Sequence, residues 1–106
     1  MYTLEYSDHA EAVIKSLIKG KKRDPQKAKK VRKALGHLSE NPDHPGLNVH
    51  PWKASPPRGC PEVPGYSLMI AYVENNTASA WRILWHYGPH DGEIPVISIV
   101  WIGPHY

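Results

Sequence analysis

The sequence has one cysteine, Cys60, so no intramolecular disulfide can form and a stapled, secreted scaffold is not indicated. It has no apolar stretch near the ~18 residues needed to cross a bilayer. Met1-Tyr2-Thr3-Leu4-Glu5 lacks the charged lead-in and apolar run of a signal peptide. The expected location is the cytoplasm, with no membrane association. Phosphate-loop, dinucleotide-fingerprint, nucleophile-elbow and paired-carboxylate motifs are absent, which argues against nucleotide hydrolysis and Rossmann redox chemistry. Cysteine pairs and helical His-x-x-x-His spacings are also missing. The seven histidines offer only His86…His90 as a short spacing, so neither metal nor cofactor is expected.

What is present suits one small globular domain spanning residues 1–106, with 41% hydrophobic and 22% charged residues. The net charge of +3 is unevenly spread. Residues 15–33 hold ten of the thirteen Lys and Arg against one acid, Asp24, and the flanking segments are both acidic. Such a block suits a polyanion, a solvated helix face or an acidic protein partner.

Hydrophobic spacing sets the elements. Residues 2–6 alternate as a short strand. Ser7 caps a helix whose apolar face is Ala10, Val13, Ile14, Leu17 and Ile18, ending at Gly20. Asp24-Pro25 opens a second helix with Ala28, Val31, Ala34, Leu35 and Leu38 inward, closed by Asn41-Pro42. Lys27, Lys30 and Lys33 should then form a basic stripe on its exposed side. Residues 42–64 hold seven of the eleven prolines and read as a long connector, with Trp52 anchoring part of it to the body. Segments 66–73, 80–87 and 94–102 read as strands joined by turns at Glu74-Asn75-Asn76-Thr77 and Gly88–Gly92. The predicted fold class is α+β, in the order β-α-α-β-β-β, with a helical hairpin packed on an antiparallel sheet whose other face stays partly open.

Arg82 is the first candidate functional residue. Alternation sends Trp81, Ile83 and Trp85 to one face of a strand and Arg82, Leu84 and His86 to the other. A guanidinium on a rigid strand suits a phosphate clamp, and equally a snorkelling surface arginine or an ion pair with Glu74 or Glu93. The sequence ends Gly103-Pro104-His105-Tyr106. A Gly-Pro bend there would turn an imidazole and a phenol over the sheet edge, where they could move protons or stack on a base. In the connector, His50, Lys53, Arg58 and Glu62 could each reach a ligand or simply face solvent.

The lysine-rich helix pair, the strand Trp81-Arg82-Ile83-Leu84-Trp85, the strand Val96–Ile102 and the His-Tyr ending together resemble the RelE/ParE superfamily of toxins from type II toxin–antitoxin systems. In that family a strand arginine contacts the scissile phosphate, and Arg82 matches it. The YoeB-like branch ends in a His-Tyr pair important for cleavage, matched by His105 and Tyr106. It also places a glutamate in the connector, where Glu62 is the acid at hand. The resemblance implies a ribosome-associated, metal-independent mRNA endoribonuclease that inhibits translation and is held inactive by a cognate antitoxin. Arg82 would stabilise the phosphoryl charge and His105 would act as acid, or as base in place of Glu62. Tyr106 would orient the phosphate or stack on a base. Arg23, Lys27, Lys30, Lys33 and Lys53 would hold RNA backbone. The alternatives are a ParE-like toxin directed at DNA gyrase and a non-catalytic RNA-binding module.

Overall fold

The computed structural model describes residues 1–61, 63–75 and 79–104. Strand β1 (Thr3–Tyr6) leads into helix α1 (Asp8–Lys19), and a short link leads to helix α2 (Pro25–Glu40). A 3₁₀ turn at Pro45–Leu47 precedes strand β2 (His50–Pro51). Strands β3 (Met69–Tyr72), β4 (Trp81–Tyr87) and β5 (Val96–Pro104) complete a five-stranded sheet in the order β1-β5-β4-β3-β2. The fold is α+β, with two helices packed on a mixed sheet.

The helices begin where their caps demand. The Ser7 side chain accepts the Ala10 N–H, and Asp24 accepts the Lys27 N–H ahead of Pro25. Each cap supplies a partner for an amide that the helix cannot satisfy internally. Ser7 has a second task. Strand β5 carries a bulge, because Leu84 pairs with Trp101 and Trp85 with Ile99, so Val100 has no counterpart on β4. The Ser7 hydroxyl donates to the Val100 carbonyl at 2.7 Å. One side chain thus caps α1 and fastens it to the irregular point of its neighbouring strand.

The sheet separates two buried clusters. On the helix side, Ala10, Leu17, Val31, Leu35 and Leu38 share a core with Ile83, Trp85, Ile97, Ile99 and Ile102. On the other side, Ile70, Leu84, Val100 and Trp101 are covered by Trp52, Cys60, Val63 and Leu68. The expected alternation along β4 therefore holds, with Trp81, Ile83 and Trp85 toward the helices and Leu84 away from them.

Three expectations are corrected. The sheet is not purely antiparallel, since β1 runs parallel to β5, pairing Thr3 with Val96 and Tyr6 with Ile99. The second face is more covered than expected, because the proline-rich connector packs over much of it and contributes the two-residue strand β2 at the far edge. Pro51 is tolerated there because an edge strand can leave one side of its backbone unpaired. Finally, Gly103-Pro104 is not a bend. These residues continue β5, opposite Arg82 and Trp81 respectively.

The β4–β5 connection matches the turn chemistry of its sequence. Gly88 and Gly92 adopt φ of 72° and 60°, a region that side-chain-bearing residues rarely enter. The Gly88 N–H donates to Val96, and Ser98 Oγ donates back to the Gly88 carbonyl.

Candidate active cleft and basic surface

Arg82 lies on interior strand β4, between Tyr72 of β3 and Gly103 of β5. Its guanidinium carbon sits 4.4 Å from the centre of the Tyr72 ring, a stacking contact that fixes the fork. It lines a narrow cleft with Trp52, Pro57, Leu84, Trp101 and Pro104. The cleft interior is about 20 Å³, room for roughly one water and far too small for a base. A phosphate could meet the guanidinium only at the mouth. Among the described residues, the buried Arg82 Nε has no hydrogen-bond partner, and neither Glu74 nor Glu93 forms an ion pair with it. Nε itself lies too deep to meet an anion at the mouth, so a phosphate there would be met by the rest of the half-buried guanidinium.

Gly103 shapes this cleft in a way the sequence did not advertise. A Cβ on it would stand 2.7 Å from the Trp101 ring. Glycine lets that indole fold back over the strand, where its Nε1–H donates to the Arg58 carbonyl at 3.3 Å and so ties the connector to β5. His9 stacks parallel to the same ring at 5.8 Å, with Nε2 3.4 Å from the Ile102 carbonyl. Since a carbonyl only accepts, Nε2 is the protonated nitrogen in that contact. The other expected catalytic residues, Glu62, His105 and Tyr106, lie outside the described residues.

The basic stripe is only partly free. Lys27 was expected on the exposed side of α2, but its side chain is just 19% exposed. It reaches the Glu74 carboxylate at 2.6 Å and lies 5.2 Å over the Trp81 ring. Lys30 meets the other carboxylate oxygen at 3.1 Å. Glu74 lies in the bend after β3, as expected, and is also a clamp joining α2 to the end of that strand, accepting the Trp81 N–H as well. Burial alone would raise its pKa. The hydrogen bonds from Lys27, Lys30 and the Trp81 amide outweigh that and hold it at about 2. Lys33, Arg23 and Lys53 are exposed and make no ion pair among the described residues.

This clamp gives a pH prediction. The folded-state pKa of Glu74 lies below its ordinary 4.5, so its contribution is complete above that value and is lost as pH falls toward about 2. Glu74→Gln should destabilise the fold by about 2 kcal/mol at pH 7. The gap from wild type should close between pH 4.5 and 2 in chemical denaturation curves. A gap that persists undiminished at pH 2 would mean the carboxylate charge is not what holds α2 to β3.

Two further groups are structural. His86, 3% exposed, stacks on Tyr66 at 4.3 Å and places Nδ1 3.0 Å from the Tyr87 carbonyl, so Nδ1 carries the proton. Burial raises the Cys60 pKa, which disfavours the thiolate needed of a nucleophile. Among the described residues, no group of three or more His, Cys, Asp or Glu could hold a metal ion. Among the described residues, no helix is long and apolar enough to cross a membrane.

Comparison with known protein families, curated proteins and solved structures finds no match to this chain.

Proposed function

We propose that this chain is the toxin of a type II toxin–antitoxin pair, of RelE/ParE-like architecture, and that it cleaves ribosome-bound mRNA without a metal. The observation that carries the reading is Arg82. It rises from an interior strand, stacks on Tyr72, makes no ion pair among the described residues, lines a cleft, and faces Gly103 in the strand that leads to His105-Tyr106. The order of elements, with both helices on one face of the sheet, supports the same assignment.

The chemistry needs three groups. A general base takes the proton of the RNA 2′-OH, and that oxygen attacks the adjacent phosphorus. The bond to the departing 5′-oxygen breaks as a general acid protonates it, leaving a 2′,3′-cyclic phosphate and a 5′-hydroxyl. Arg82 neutralises the charge that grows on the non-bridging oxygens. His105 is the acid, or the base if Glu62 does not serve, and Tyr106 orients the phosphate.

The narrowness of the cleft favours one other reading. With Trp52 and Pro57 crowding Arg82, the chain would bind RNA and not cut it. The two readings separate in a reconstituted translation reaction with 5′-end mapping of the mRNA. New 5′-hydroxyl ends paired with cyclic-phosphate 3′ ends support the nuclease. Intact message with salt-sensitive RNA binding supports the binding module. Intact message with gyrase-dependent DNA breaks would transfer the protein to the ParE-like class.

A further inference from the structure

A second concave surface lies between α2, the 3₁₀ turn and the end of β3. It is an open groove of about 440 Å³, bordered by Lys30, Lys33, His37, His44, Tyr72 and Asn75. We infer that this groove is the track for the single-stranded RNA that flanks the bond held at Arg82. The inference rests on the RNA-directed reading above and adds to it the path of the substrate.

Four features point the same way. The groove has the width that the Arg82 cleft lacks, so an extended strand can lie in it. Its charge is positive: Lys33 is exposed and makes no ion pair among the described residues, and the Glu74 charge on its wall is already matched by Lys27 and Lys30.

Its aromatic surface is ready-made. The His37 and His44 rings stack at 3.9 Å and 21°, offering a flat imidazole face on which a base can continue the pile. His44 Nδ1 accepts the Gly46 N–H at 3.1 Å, so the ring proton sits on Nε2 as a hydrogen-bond donor for a phosphate oxygen. Finally, one residue, Tyr72 at the end of β3, takes part in both sites. Tyr72 lines the groove on one side and carries the Arg82 guanidinium on the other, with the His50 ring tilted 5.8 Å away. Cations interleaved with rings are what a single strand needs, since its phosphates want charge and its unpaired bases want faces. An acidic peptide would use the lysines and leave the rings idle.

The test uses the full chain and a fluorescent, 2′-O-methylated oligouridylate of about ten nucleotides, which binds but cannot be cut. Anisotropy should show that Lys33→Ala combined with His37→Ala weakens binding about tenfold and lowers the salt slope by about one. The melting temperature of the variant checks its fold. On the wild-type protein, the imidazole NMR signals of His37 and His44 should move on adding the same oligonucleotide and stay put with polyglutamate. Unmoved imidazole signals would overturn the inference, as would unchanged affinity in the folded variant. Polyglutamate displacing the RNA while shifting those signals would reassign the groove to an acidic protein. If no mRNA is cut in the translation assay while the groove binds the probe as described, the track stands and the nuclease falls. If mRNA is cut and the groove variant binds as wild type does, the nuclease stands and the track falls.

Discussion

Arg82→Ala is expected to reduce mRNA cleavage by about two to three orders of magnitude, the typical loss when a preorganised charge partner of a transition state is removed. The size follows from what the side chain does in the ground state, which is little. Its fork is held by a ring face, and among the described residues no carboxylate pairs with it to neutralise its charge before substrate arrives. Such a group gains most as negative charge develops on the phosphoryl oxygens. Arg82→Lys should recover only part of the loss, because an ammonium lacks the planar fork that lies on Tyr72 and presents two donors at once. The fold should survive both changes. Arg82 is only half-buried, and its strand is held by pairing to β3 and β5 that does not involve the side chain. Thermal melts of the variants should therefore lie near wild type while the mapped 5′ ends disappear. Full cleavage by a folded Arg82→Ala protein would remove the cation from the mechanism.

The parts of this structure that were legible in the sequence are those written in local periodicity. Ala10, Leu17, Val31, Ala34, Leu35 and Leu38 were spaced for one face of each helix, and all are buried. Ser7, Asp24 and Pro25 marked helix starts that the caps reproduce. Arg82 could be singled out because period-two alternation set it against Trp81 and Ile83. What escaped depended on partners far along the chain. Nothing within residues 3–6 tells whether they pair with strands early or late, parallel or antiparallel. Their partner begins at Val96, and the direction follows from the hairpin of helices returning the chain to the same end of the sheet. Glu74 followed a strand and preceded two asparagines, so it read as turn chemistry. Only the packing of α2 against β3 reveals two lysines converging on it. Gly103-Pro104 carried a breaker signature, yet both residues fit the final stretch of an extended strand. Glycine is needed there for the Trp101 ring, not for a turn. The histidine pair was invisible because residues 37 and 44 belong to different elements, and their rings meet only after the chain doubles back at Asn41-Pro42.

Trp85 is the position at which a single side chain should matter most to stability. It is fully buried at the middle of β4, in the helix-side core, and its ring meets Tyr87 edge-on at 4.9 Å. Trp85→Ala should cost about 3–5 kcal/mol, from lost burial and the cavity left behind. A domain of this size has a total stability of only about 5–15 kcal/mol, so the variant should melt at a far lower temperature or fail to fold at growth temperature. Trp85→Phe should behave differently. It leaves a smaller void and keeps an aromatic ring against Tyr87. It also deletes the indole Nε1–H, which is buried without a hydrogen-bond partner among the described residues. An unmet buried donor costs about 1–3 kcal/mol, so its removal offsets much of the lost volume. The net change for Trp85→Phe should be about 1 kcal/mol in urea denaturation, well short of the alanine variant. Equal losses in the two variants would mean that the nitrogen, and not the size of the ring, anchors this side chain, and that the indole N–H has a partner whose loss both substitutions share.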